Sequence, residues 1–139
     1  MDIHPQLLND CLVVGRFSLS YLLLMQDANY PWFILVPDRE NITEIFQLDE
    51  DDQQQLVAES SRLSMLVSEE FNADKINVAA LGNVVPQLHI HVIARSKNDP
   101  AWPAPVWGRH PTRPYTDEET KGIISKLRHG LSHGFDFLL

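Results

Sequence analysis

The stretch Gln87-Leu88-His89-Ile90-His91-Val92-Ile93-Ala94-Arg95 restricts the fold more than any other. A period of two sends Leu88, Ile90 and Val92 to one side and Gln87, His89, His91 and Ile93 to the other, which is the pattern of a β-strand. A strand with an apolar face needs a sheet and something packed on it. The opposite face presents an amide and two imidazoles, groups that hydrogen-bond and, for imidazole, titrate near neutrality. The expected strand runs from Gln87 to Ala94, and Gly82-Asn83 supplies a turn that pairs it with a strand over Lys75–Leu81.

The partners of that hairpin lie upstream. Leu12–Phe17, Leu19–Met25 and Trp32–Val36 are short runs rich in Leu, Val and aromatic residues, and the last lies between Pro31 and Pro37. Asp27-Ala28-Asn29-Tyr30-Pro31 favours a tight connection, so the strands on either side of it should pair antiparallel. From Leu48 the period becomes helical: Asp49 is a plausible N-cap, and Leu56, Leu63, Leu66 and Phe71 share a face. Glu50, Asp51 and Asp52 suit the positive end of a helix dipole, a reading preferred to a metal site. Four prolines in Ala101–Pro114, with Trp102 and Trp107, exclude regular helix and central strand, so residues 98–115 form a loop. Thr116 and Glu119 have capping-box spacing, and Ile123, Ile124, Leu127 and Leu131 mark a C-terminal helix over about 116–131, stopped by Gly130 or Gly134. Hairpin-joined strands with helices outside them define an α+β domain around an antiparallel sheet.

With 139 residues and 44% hydrophobic content, the chain is expected to form one domain, residues 1–139. Its apolar runs fall far short of the roughly 20 residues a bilayer span needs, and no apolar signal core follows a basic flank, so neither membrane nor export is indicated. The lone Cys11 has no bridge partner, which points to a reducing compartment, the cytoplasm by default. A net charge of −8 disfavours duplex nucleic acid as a partner and leaves room for a small anion held by a local site.

The stretch Gln87–Arg95 resembles the signature of the histidine triad (HIT) family, His-φ-His-φ-His-φ-φ with φ apolar. His89 matches the central histidine and His91 the last. Gln87 stands where the first belongs, which makes the chain similar to a divergent, bacterial-type member. Pro31-Trp32-Phe33-Ile34-Leu35-Val36-Pro37, followed by Arg39, looks like the family's other familiar strand, and the likeness spans about residues 12–95.

The resemblance implies a HIT-like fold, with an antiparallel sheet of about five strands, a long helix and a C-terminal helix. It implies a nucleotide hydrolase or nucleotidyl transferase acting at the α-phosphate of a nucleoside phosphate, dinucleoside polyphosphate or phosphoramidate, with no cofactor and no metal. His89 would attack phosphorus to give a nucleotidyl-histidine. His91 would bond the transferring phosphoryl oxygens or help protonate the leaving group, and Gln87 would brace the site. Asp27 lies near the family's ribose-binding position or else steadies its own turn, Trp32 would wall the base pocket or pack in the core, and Asn83 would contact phosphate or occupy a turn position. Trp102-Pro103 and Trp107 resemble a segment that, in some branches, reaches a partner subunit's site, and a homodimer joining two sheets is expected. The loop before the triad is shorter than usual, only Gly82-Asn83-Val84-Val85-Pro86. Two other readings stay open: a metal-dependent hydrolase begun by His-x-His, with a distant third ligand such as His110, and a nucleotide-binding module without turnover. Otherwise His110, His129 and His133 are expected at the surface.

Overall fold

The computed structural model describes residues 1–139. The expected strands are present as β1 (Cys11–Arg16), β2 (Ser20–Met25), β3 (Trp32–Pro37), β4 (Lys75–Ala79) and β5 (Ile90–Arg95). A further short strand, β6 (Asp136–Phe137), pairs with β1 through Gly15↔Phe137 and Arg16↔Asp136, so the sheet has six strands in the order β4-β5-β3-β2-β1-β6, every pair antiparallel. The sixth strand is made possible by Gly15, which sits at a register shift in β1. A side chain there would meet the Asp136 carbonyl and the Phe135 ring.

Three helices complete the domain: α1 (Pro5–Asp10), α2 (Glu50–Glu70) and α3 (Asp117–Gly130). The carboxylate of Asp49 caps α2 by accepting from the Asp52 N–H at 2.8 Å, and Thr116 with Glu119 closes a reciprocal capping box on α3. The short α1 is an addition to the expected elements. Its signal is His4 before Pro5, an N-cap followed by the one helical position where proline is favoured. Six residues are too few to show a helical period.

The sheet is covered on both faces. Leu22, Leu24, Phe33, Leu35, Leu88, Ile90 and Val92 pack against Leu56, Leu63, Leu66 and Val67 of α2 and Ile123 and Leu127 of α3. On the other face Leu23, Trp32, Ile34 and Ile93 pack against Leu7 of α1, Val85, and Ala101 and Val106 of the proline-rich segment. Strands buried on both sides read as apolar runs rather than alternation, and β3 is buried at all six positions.

Two buried polar groups fix the connections. Glu59 on α2, 3% exposed, accepts from the Leu19 and Ser20 N–H groups at 2.9 and 3.0 Å and so ties the β1–β2 turn to the helix. Arg95 at the end of β5, 2% exposed, donates to both oxygens of Asp99 at 2.8 and 3.1 Å, to Asn77 Oδ1 and to the Ala104 carbonyl. Asp99 in turn accepts from the Ser96, Ala101 and Trp102 N–H groups, which pins the proline-rich segment over the sheet.

Candidate active site

The strand that carries the histidines, β5, is shorter than its alternation suggests. Pairing stops at Leu35↔Ile90 and Ala79↔His91, so Gln87–His89 precede β5 rather than belong to it, and residues 80–89 form a loop in place of a tight turn. The Leu88 N–H donates instead to the Ile42 carbonyl at 2.9 Å. Gln87 therefore leaves the row of imidazoles. Its side-chain Oε1 accepts from the His4 N–H at 2.8 Å and its Nε2 donates to the Asp2 carbonyl at 2.9 Å.

His89 and His91 remain together, ring centroids 4.9 Å apart, and both are buried, 5% and 3% exposed. Sequence reasoning left that face open. The proline-rich segment and α1 close it.

The hydrogen-bond partners define the tautomers. His89 Nδ1 lies 2.7 Å from the Gln87 carbonyl, which can only accept, so Nδ1 carries the proton and the Nε2 lone pair has no protein partner. Burial lowers the His89 pKa from the ordinary imidazole value, against the opposing pull of the Gln87 carbonyl, so the ring is neutral at pH 7. His91 is held at both nitrogens: Nδ1 accepts from the Trp32 indole N–H at 3.0 Å, and Nε2 donates to the Leu81 carbonyl at 2.9 Å. Burial pushes its pKa down to about 4. Both nitrogens of His91 are thus engaged within the protein, and the Nε2 bond ties the ring to the 80–89 loop.

The two rings line a cavity of about 280 Å³ with Met25, Trp32, Asn83 and Trp107. Trp107 stands edge-on to both His91 and Trp32, at centroid distances of 5.0 and 5.5 Å. Gly82 lies against His89 so closely that a Cβ would come within 3.2 Å of its Cε1 and 2.7 Å of the Val85 carbonyl; the loop backbone therefore needs glycine there. Met25 and Trp32 also border an adjoining cavity of about 360 Å³ that contains Asp27. Asp27 Oδ1 accepts from the Asn29 N–H and side-chain amide at 3.0 and 2.8 Å and from the Arg113 N–H at 3.4 Å. Its Oδ2 has no protein partner. Trp102 packs against Arg95, away from this cavity, and His110, His129 and His133 are exposed. Gln6, Leu7 and Asp10 of α1, which the sequence did not single out, complete the wall. No three His, Cys, Asp or Glu side chains are grouped to ligate a metal ion.

A six-stranded antiparallel sheet carrying a neutral, backbone-oriented histidine at the foot of an aromatic cavity defines a class of α+β proteins built around a histidine motif. A model of the HIT domain matches residues 6–98, and the chain belongs to the HIT family. Two solved structures superpose on almost its whole length. A histidine triad protein from Bradyrhizobium japonicum gives a TM-score of 0.92 with 46% identity, covering 94% of this chain and 97% of that one. A histidine triad protein from Marinobacter aquaeolei gives 0.92 with 47% identity, covering 96% and 97%. A bis(5'-adenosyl)-triphosphatase of Dictyostelium discoideum is 28% identical over 100 residues, 68% of this chain and 67% of that protein.

Proposed function

We propose that the protein is a nucleotide hydrolase or nucleotidyl transferase that works through a nucleotidyl-histidine, with a nucleoside phosphate, dinucleoside polyphosphate or phosphoramidate as substrate. The observation that carries this reading is the state of His89: buried, neutral, with Nδ1–H held by the Gln87 carbonyl and the Nε2 lone pair unengaged on a ring that lines the cavity. That is the form in which imidazole is a nucleophile. Nε2 forms a bond to the α-phosphorus while the phosphorus–oxygen or phosphorus–nitrogen bond to the leaving group breaks, and the leaving group takes its proton from solvent. Water then attacks the same phosphorus, the nitrogen–phosphorus bond breaks, and nucleoside monophosphate leaves with the imidazole restored.

The other residues divide the work. Asn83 at the cavity mouth has an amide that can donate to phosphate oxygens. Trp32 and Trp107 supply the apolar walls that exclude water and accept a base. Asp27 Oδ2 accepts from the ribose hydroxyls. His91 acts at one remove, riveting Leu81, and with it Gly82, against the nucleophile. The relative with a triphosphatase name supports a nucleotide substrate for this chain. A small-molecule nucleotide, with a lone buried Cys11 kept as a thiol, fits a cytoplasmic protein. No helix is long and apolar enough to cross a membrane.

The test is a panel of diadenosine polyphosphates, nucleoside phosphoramidates and nucleotide sugars, read for nucleoside monophosphate release, with quenched samples analysed by mass spectrometry for a nucleotide on His89. Turnover should survive EDTA, since the attacking group is a side chain. Loss with EDTA and recovery with Zn²⁺ would favour a metal hydrolase, and tight binding without product would make the protein a binding module.

The edge strand β4 leaves Val78 54% exposed beside Val57 of α2, 63% exposed, and with Ile45, Leu56 and Ile90 these line an apolar groove of about 280 Å³. An unpaired edge next to apolar surface is suited to a second copy of the chain, giving a homodimer with a continuous sheet. Sedimentation should give the dimer mass, and Val78→Lys should convert it to monomer. A monomeric parent protein refutes the pairing.

A further inference from the structure

The peptide that orients His89 is gripped from three sides. The Gln87–Leu88 unit offers its carbonyl to His89 Nδ1–H at 2.7 Å and its N–H to the Ile42 carbonyl at 2.9 Å. The third hold is indirect. The Gln87 side chain spans to the segment before α1, accepting the His4 N–H at 2.8 Å and donating to the Asp2 carbonyl at 2.9 Å, so both ends of its amide are used on the same segment. His4 is itself fixed, because its Nδ1 accepts the Gln6 N–H at 3.0 Å and caps α1, whose Leu7 is buried in the core.

We infer that residues 2–4 are a positioning element of the active site, latched by Gln87 to the peptide whose carbonyl sets the tautomer and direction of His89. A nucleophile must be held to within about 0.5 Å to be effective, and side chains achieve this only through groups that are themselves locked. An imidazole at position 87 would offer one donor and one acceptor on a rigid ring. The longer amide of Gln87 reaches two main-chain groups of a neighbouring segment, so the glutamine makes a connection rather than filling a gap. The inference rests on His89 being the nucleophile only for its kinetic consequence; the tautomer is independent of that reading.

The test compares His4→Pro with His4→Asn. His4 has φ −52°, within the range of proline, so His4→Pro removes the N–H given to Gln87 and, with the imidazole, the cap of α1; the Gln87→Met change below cuts the latch and spares the cap. His4→Asn keeps that N–H and a side chain able to cap α1. His4→Pro should lower kcat by about 10- to 100-fold with KM changed far less, while His4→Asn stays within about threefold of the parent. Nitrogen-15 NMR of the imidazoles should report the Nδ1–H tautomer of His89 in the parent and His4→Asn, and a mixture of tautomers in His4→Pro. Gln87→Met, which cuts the latch from the other end, should reproduce both effects and add little to His4→Pro in the double variant. An unchanged tautomer and unchanged kcat in His4→Pro and Gln87→Met would overturn the inference. If no substrate is turned over by any of the proteins, a tautomer shift confined to the latch variants still supports it, and the proposed activity alone fails.

Discussion

Replacing His89 by alanine is expected to lower turnover by on the order of 10³-fold or more while leaving the fold intact. The size follows from its place in the reaction. No other side chain in the cavity has an uncommitted imidazole nitrogen, and both nitrogens of His91 are bonded to protein. The substitution removes a neutral ring and so strands no buried charge. The pH dependence gives a second reading of the same residue. A nucleophile must be neutral, and burial has moved the His89 pKa below its ordinary value, so kcat/KM should hold as pH falls through 6.5 and decline only below it. Stability follows the same sign. Imidazoles with depressed folded-state pKa values, near 4 for His91, stabilise the fold fully above the unfolded value of about 6.5, and that contribution is lost as pH falls toward the depressed one. Steady-state rates and urea midpoints across pH 4–8 check both. Activity within a few-fold of the parent in His89→Ala would remove His89 from the nucleophile's role.

Arg95→Met should destabilise the fold by about 3–5 kcal/mol, because it leaves Asp99 buried without its cation. The guanidinium makes four hydrogen bonds, two to Asp99 and one each to Asn77 and Ala104, and its Cζ lies 5.7 Å from the ring centroids of Tyr30 and Trp102. Asp99 is held below the usual carboxylate range: burial opposes ionisation, and Arg95 with the N–H groups of Ser96 and Ala101 outweighs it. Its contribution is present above the ordinary carboxylate pKa and disappears as pH falls through the lowered one. The functional effect should be as large as the structural one. The segment this pair anchors carries Ala101, Val106 and Trp107, which cover the histidine face of the sheet. Urea denaturation should show the lower midpoint, and the double change with Asp99→Asn should cost less than the two single losses added together. An unfolding free energy within about 0.5 kcal/mol of the parent would show that the segment is held by its apolar contacts alone.

The two helices that pack against the sheet were legible because their signals are local. A cap residue satisfies N–H groups within its own first turn, and Asp49 and Thr116 do so here. The strands were legible from apolar runs ended by proline or turn residues, and the motif positions fixed the family. What was illegible depended on partners far along the chain. β6 needs a glycine in β1 to approach, and α1 is too short to have a period.

The sequence by itself determined that His89 and His91, two positions apart, are presented to the same side, that Trp32 opens the strand beside β5, and that the domain is α+β; that His89 stands just before the strand, outside its pairing, was not legible. Only the tertiary structure decided what each group does. Burial of the second face came from packing a proline-rich segment on it, and burial makes the imidazoles neutral. Which nitrogen is free was settled by carbonyls at positions 81 and 87, and the direction of Gln87 by main-chain groups at positions 2 and 4. A side chain's identity is written in the sequence, whereas its tautomer and its partners are set by main-chain atoms that every residue possesses and that no motif can mark.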